Sequence, residues 1–402
     1  MNYENVEVID LTRKLVQIES TNIGTFEEKI SLFIEDWLRK NTHAEVVREE
    51  IEPKRFNVVA TLKGKTSHPN LIYIAHMDTV PFGEGWTVTA PLSGDVRDGK
   101  IWGRGACDMK AGIAAAMIAF RDIENECRAK SITPEMDFVF VASADEEDAM
   151  KGADRIVDLG IADKQSLVLD TEPTGPLNNQ GDYTDDSKLY ILMAHKGKSW
   201  FEITTYGTSA HGSTPYRGVN AIVAMAHVVL EIQGRLAQLP AHPVMGPSTA
   251  CFGTIAGGLN TNMVAEKCAM TIDMRISPPL TVEASYQLVA DAIEAGTAKE
   301  PGSTGEYTVM SKRPFVNEDP DSVLMNAVKA SCKKMLAREA ESFFAPCYTD
   351  SGVIGGRTDN GNSMSFGPYG SELHTPNEYA DCRSIIDVEK VLADVARGFL
   401  LK

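Results

Sequence analysis

Residues 72–81 read "IYIAHMDTVP". Ile72, Tyr73, Ile74 and Ala75 form an apolar run of strand character that ends in His76, one spacer and Asp78. Residues two apart on a strand leave from the same face, so both titratable groups emerge together. Polar groups placed where a strand leaves the core cost free energy unless something binds them. In open α/β sheets the carboxyl ends of strands are where ligands bind. On its own, the motif equally describes a capped strand end with one satisfied histidine.

Outward from that strand, helical and strand-like segments alternate. "TFEEKISLFIEDWLRK" (25–40) reads as a helix, and "NVVATLKG" (57–64) as a strand. "DMKAGIAAAMIAFRDI" (108–123), rich in Ala and Met, reads as a helix packed closely on a sheet. "EMDFVFVASADEE" is a strand followed by a helix near 150–159, and "SLVLDTEPT" is a further strand. Apolar strands separated by helices predict an α/β layer around a mostly parallel, buried central sheet. Residues 191–312 change rhythm to βαββαβ, the ferredoxin-like split unit. Its strands are "SWFEITTYG", "STACFGTIAGG", "AEKCAMTIDMRIS" and "GEYTVMSK"; its helices begin at "GVNAIVAMAHVV" and "TVEASYQLVADA". The chain then returns to α/β character and closes in the helix "DVEKVLADVARGFLLK". Two domains are expected: a discontinuous one over 1–190 and 313–402, and an inserted α+β lid over 191–312.

Composition narrows the function classes. The 402 residues carry 39 Lys and Arg against 56 Asp and Glu, a net charge of −17. Such a surface repels phosphate backbones and anionic lipid, so nucleic acid and membrane partners are not expected. The start, "MNYENVEVIDLTRKLVQIES", reads as an amphipathic helix and not as a signal peptide. Seven cysteines without CxxC spacing argue against a disulfide framework. A cytoplasmic location is the expectation.

Other titratable residues cluster where apolar segments end. Asp108, in "GRGACDMKAG", stands where a glycine-rich turn opens a helix, and reads as an N-cap, a nucleotide-loop residue or a metal ligand. The GxG lacks the third glycine of a dinucleotide fingerprint. "SADEEDAM" sets Glu146 beside Glu147. Neighbours in sequence point in different directions, so one can bind a metal while the other moves a proton. Asp170 and Glu172 lie two apart on one strand face, and His374 sits in the turn-rich "GPYGSELHTPNE". Histidines with carboxylates and no cysteine suit catalytic zinc, manganese or cobalt. The count suffices for two ions sharing one bridging carboxylate. HExxH and GxSxG are both absent.

"HMDTVP", "GRGACDMKAG", "DEE", "EPT", "GTSAHGSTPYRGVNAI", "NMVAEKCAMTIDMR" and "LHTPNE" follow one another in this order. In these motifs the sequence resembles the dinuclear zinc amidohydrolases and exopeptidases, a family that includes acetylornithine deacetylase, succinyl-diaminopimelate desuccinylase, aminoacylase and glutamate carboxypeptidase. The resemblance runs from about residue 10 to 395. It implies a zinc-exopeptidase-like catalytic domain with a lid that dimerises, and two divalent ions. One ion is held by His76, Asp108 and Glu172, the other by Asp108, Glu147 and His374, with Asp108 bridging. It further implies that Asp78 orients His76 and that Glu146 is the general base, then the acid. His211 would reach the partner subunit's site, and Asn262 and Arg275 would bind a substrate bearing a carboxylate. His195 and Asp350 sit near family motifs in structural positions, whereas His43, His68, His227 and His242 carry no supporting pattern.

Two departures from the family pattern stand out. Thr171 takes the place of a glycine, leaving Asp170 as a rival ligand to Glu172, and the long acidic stretch 176–190 reads either as shaping the pocket or as a surface loop. The expected activity is hydrolysis of an amide bond in an N-acyl amino acid or small peptide. A C–N hydrolase or deaminase of a non-peptide substrate is the alternative. A catalytically silent scaffold is the third reading, and it predicts loss of a ligand or of the base.

Overall fold

The computed structural model describes Tyr3 and residues 5–174, 189–345 and 347–402. The acidic stretch singled out above lies outside the described residues from 176 to 188. The chain divides into two compact units, residues 1–193 with 317–343 and 348–402, and residues 194–316 with 344–347.

Helices α1 (Glu7–Val16) and α2 (Glu28–Asn41) precede strands β1 (Glu45–Glu52), β2 (Arg55–Leu62) and β3 (Leu71–His76). Short strands β4 (Asp95–Arg97) and β5 (Lys100–Trp102) lead to α3 (Ala111–Lys130), β6 (Phe138–Ser143), α4 (Lys151–Asp158), β7 (Leu167–Pro173) and β8 (Leu189–His195). Next come β9 (Gly197–Tyr206), α5 (Ala221–Ala237), β10 (Thr249–Gly257), β11 (Lys267–Ile276), α6 (Val282–Thr297) and β12 (Thr304–Arg313). The last part holds α7 (Val323–Leu336), β13 (Ala340–Ala345), α8 (Asp350–Thr358), β14 (Ser363–Gly367), β15 (Gly370–Ser371), β16 (Tyr379–Asp381) and α9 (Cys382–Leu400).

Eight strands form one sheet in the order β1-β2-β6-β3-β7-β14-β8-β13. β6, β3, β7 and β14 run parallel at its centre. β1 and β2 join it antiparallel, as does β8. The two residues Pro53 and Lys54 connect β1 to β2, and a connection that short permits only an antiparallel pair. The expected α/β layer is present, with a mixed sheet that is parallel where it is most deeply covered. β3 is buried along its whole length, and α3 over most of its surface. Alanine and glycine let α3 approach the sheet: a Cβ on Gly112 would lie 2.3 Å from the Thr171 carbonyl oxygen. Tyr73, Phe120, Phe138 and Phe140 fill the same layer, with Tyr73 edge-on to Phe138 at 5.0 Å. Burying each such ring contributes roughly 2–3 kcal/mol.

The predicted helix over 108–123 starts later than expected. α3 begins at Ala111, and Asp108 has φ −113° and ψ 90°. Asp108 is therefore not an N-cap; its carboxylate is left for other partners.

Strand register then gathers the candidates. His76 lies opposite Ser143 and Ile74 opposite Asp170. Two residues further along each parallel strand, His76, the Asp145–Glu147 turn and Glu172 emerge together at the carboxyl ends of the central strands.

The second unit is a four-stranded antiparallel sheet, β10-β11-β9-β12. Its element order is the expected βαββαβ. α5 and α6 pack on it through Met225, Val228, Val289 and Ile293, capped by Asn220 and Thr281. His195, at the end of β8, is wholly buried, and burial pushes its pKa down to about 4. The unfolded chain binds this proton near pH 6.5 and the folded one refuses it until about pH 4. Stability that His195 contributes above pH 6.5 is thus lost as pH falls toward 4. The expected loss is about 2 kcal/mol between pH 7 and 5, rising to about 3 kcal/mol below pH 4. Denaturant titrations of wild type and His195→Gln at both pH values check this: the acid penalty should shrink in the variant, and an unchanged penalty contradicts the assignment.

Candidate metal centre

The two oxygens of Asp108 face two different histidines. His76 Nε2 lies 3.1 Å from Oδ1, and His374 Nε2 lies 3.1 Å from Oδ2. His76 Nε2 also stands 3.5 Å from Glu172 Oε1, and His374 Nε2 3.0 Å from Glu147 Oε2. Donor atoms of His76, Glu146 and Glu172 lie within 4.8 Å of one another, as do those of His76, Asp108 and Glu147. The residues thus form one cradle, placed by the carboxyl ends of β3 and β7, the turn after β6, the turn before α3 and the loop after β15. His374 holds its place with φ +61°, in the left-handed region.

Tautomer chemistry tests whether a cation fits. His76 Nδ1–H donates to the main-chain carbonyl of Asp78 at 2.9 Å. A carbonyl only accepts, so Nδ1 carries the proton and the neutral ring turns its Nε2 lone pair toward two carboxylates. Lone pairs converge there unless a proton or a cation lies between them. Glu147 Oε1 is buried with no hydrogen-bond partner among the described residues. The donor set is nitrogen and oxygen without sulfur, which suits divalent zinc, manganese or cobalt. The residues fit two ions.

Electrostatics agree with that reading. Burial drives the Glu146 and Glu172 carboxyls well above the usual range, with His76 opposing in both cases. Burial, then the charge of Asp108, raises Glu147 as well. Burial also acts to raise Asp108, but hydrogen bonds from His374 and His76 outweigh it and hold that carboxyl below its ordinary value. Contacts with Asp108 and Glu147 lift His374 to about 10. For His76 burial acts downward, and the surrounding carboxylates of Glu172, Asp108, Asp78 and Glu146 more than reverse it. Negative charge outnumbers the two imidazoles, and bound cations would relieve it.

Asp78 contacts His76 through its main-chain carbonyl, at 2.9 Å from Nδ1, while its carboxylate stands 3.6 Å from that nitrogen and accepts the backbone N–H groups of Glu146 and Glu147, both at 3.1 Å. Asp78 thus steadies His76 by its carbonyl and the Glu146–Glu147 turn by its side chain. Asp170 accepts from the Ser351 N–H at 3.2 Å and the Ser365 hydroxyl at 3.4 Å, while Glu172 faces His76. Asp350 is buried and accepts from the Ser143 hydroxyl; burial, then Asp170, pushes its carboxyl up to about 8.

In the second unit, His211 is exposed, with Nδ1 2.8 Å from the Ser213 hydroxyl. The Gly212 N–H donates to the Asn262 carbonyl at 2.7 Å, which brings His211 and Asn262 to one place. Arg275 forks onto Asp273 at 2.9 and 3.0 Å. His43 and His68 pair with Glu124 and Asp163, and His242 accepts neighbouring N–H groups.

Sequence reading passed over a supporting layer. Arg55, buried, donates to Glu27 and Asp145, and the Asp145 N–H donates to Glu27. Asp145 itself has φ +70° at the head of the Glu146–Glu147 turn. Arg104 and Glu378 do similar work under Asp108. Charged residues in otherwise buried segments are the signal that points to such a layer.

The chain is similar to proteins of known family over most of its length. The chain is 29% identical to acetylornithine deacetylase of Photorhabdus laumondii, over 100% of this chain and 99% of that one. It is 31% identical to acetylornithine deacetylase of Yersinia pseudotuberculosis over 63% of this chain and 64% of the relative. In fold it is similar to a tripeptidase from Staphylococcus aureus, with TM-score 0.76, 20% identity and 99% of both chains covered. Aminopeptidase PepT from Bacillus cereus gives TM-score 0.75 at 21% identity, over 98% of each chain. The sequence profile of Peptidase family M20/M25/M40 matches residues 72–398, most of the chain. The chain belongs to Peptidase family M20/M25/M40, and it is a metal-dependent amide hydrolase of that family.

Proposed function

We propose that the protein hydrolyses the amide bond of an N-acyl amino acid or small peptide that bears a carboxylate. The observation that carries this reading is Asp108, one oxygen toward each histidine. His76, Asp108 and Glu172 would hold one ion, and Asp108, Glu147 and His374 the other. Zinc suits this donor set best, with manganese or cobalt as substitutes. Bound there, the ions supply Lewis acidity toward the amide carbonyl and acidify water.

The chain's own residues do the rest. Glu146, buried beside His76 and Glu172, takes the proton of the attacking water. The same carboxyl then hands that proton to the departing amine. Asp78 keeps Glu146 in position through its backbone N–H. Asn262 and Arg275 bind the substrate's carboxylate, a task for which a guanidinium fork is suited. His211 serves the site of a second copy.

Dimerisation through the second unit is supported by exposed Ile222, Val223, Leu230, Ile255 and Leu259. No helix among the described residues is long and apolar enough to cross a membrane. Free thiols at Cys127, Cys251, Cys268, Cys332 and Cys382 support a reducing, cytoplasmic location. Similarity to acetylornithine deacetylases supports an N-acyl amino acid as the substrate.

Amine release from N-acyl amino acids, dipeptides and tripeptides tests the substrate class, using chelator-treated protein with and without zinc, manganese or cobalt. Metal-restored release from the acyl amino acids is the expected result. Release only from peptides shifts the assignment to a peptidase, and none from either group sinks the proposal.

A further inference from the structure

We infer that Glu378 locks the turn of Asp108 to the loop of His374 and thereby decides whether the centre holds two ions or one. The inference rests on the ligand roles proposed above and adds a positioning residue to them. Glu378 is wholly buried, and its carboxylate is saturated by four donors. Arg104 Nη1 at 2.6 Å and the Gly105 N–H at 3.0 Å reach Oε2. The N–H groups of Cys107 at 2.9 Å and Asp108 at 3.1 Å reach Oε1. One carboxylate therefore replaces the helical hydrogen bonds that the turn before α3 does not make.

The same contacts tie the other loop. The Glu378 carbonyl accepts from the Gly103 N–H at 2.9 Å, and Arg104 Nη2 donates to the Thr375 carbonyl at 3.2 Å. Next to it, Asn377 Oδ1 accepts the N–H groups of Thr87 and Val88, each at 2.9 Å. Glu372, His374 and Asn377 all have left-handed φ, a conformation that persists only where the surroundings fix it. His76 sits at the end of a buried strand and Glu172 on the next one, so neither needs this support. His374 has only its loop. Asp108 keeps its contact with His76, which the buried end of β3 fixes, so losing Glu378 loosens the His374 side of Asp108 most.

Glu378→Gln has nearly the same shape but keeps one acceptor oxygen, and its NH₂ would face N–H donors. Chelator-stripped protein is titrated with Co²⁺, counting bound ions and following the visible absorption of each site. Wild type should take two ions. Glu378→Gln should keep the affinity of one site and weaken the other ~10–100-fold, the range typical of residues that orient ligands. Two ions bound with wild-type affinities, or equal weakening at both sites, overturns the inference. Should the variant not fold by circular dichroism, Glu378→Asp keeps the charge opposite Arg104 but withdraws it by one methylene. It must show the same selective loss, and two intact sites in it overturn the inference equally. A wild type that binds fewer than two ions refutes the two-ion reading itself, and this inference falls with it.

Discussion

Replacing Glu146 with glutamine should abolish turnover while leaving the metal content of the protein almost unchanged. A positioned general base or acid contributes about 10²–10⁴-fold, and Glu146 is assigned both parts. The expected drop in kcat is therefore about 10³-fold or more. The metal count is the telling half of the experiment, because Glu146 lies within 4.8 Å of His76 and Glu172 donor atoms. If the variant loses an ion, Glu146 and Glu147 have exchanged roles. Stability gives a second readout with a definite sign. Burial raises the folded-state pKa of Glu146 above its unfolded value. Such a group stabilises fully only below its unfolded pKa, and that contribution is lost as pH rises through the folded one. At neutral pH and above, the metal-free glutamine variant should melt higher than metal-free wild type.

Asp108→Ala should have the larger effect on metal. Asp108 alone among the proposed ligands faces both histidine nitrogens, so its loss would remove a ligand from both proposed positions. Residues that merely orient ligands are worth ~10–100-fold in affinity, and removing a shared ligand should exceed that at both sites. Calorimetric titration with zinc should show neither site near its wild-type affinity, and amine release should fall below detection. His374→Ala offers the contrast: one site lost, the His76 site kept. Equal behaviour of the two variants would remove Asp108 from its bridging position.

Much of this arrangement was legible in the residues, for identifiable reasons. β3, β6 and β7 are short apolar runs ending in His76, the acidic turn and Glu172, and parallel strands with buried faces advertise themselves in that way. The second unit declares itself by periodicity, since α5 and α6 alternate with strands of clean in–out pattern such as β11. What stayed hidden was set by tertiary contacts. β1 is a half-exposed, charge-rich edge strand with little hydrophobic signal. Asp108 looked like an N-cap because a glycine turn and an alanine-rich helix follow one another there, while Glu378, 270 residues away, holds its backbone N–H instead. Asp78 was placed correctly beside His76, but its carboxylate serves two amides contributed by the turn after β6, which no local pattern announces. The network of Arg55, Glu27 and Asp145 joins segments up to 118 positions apart, beyond the reach of spacing rules.

The central claim is a pair of ions on the two sides of Asp108. Crystals of the protein grown with zinc, with anomalous diffraction recorded at the zinc edge, test it most directly. Two anomalous peaks are predicted in unit one's cradle, one beside His76 and Glu172 and the other beside Glu147 and His374, each on its own oxygen of Asp108. A single peak, or peaks held without Asp108, would contradict the account.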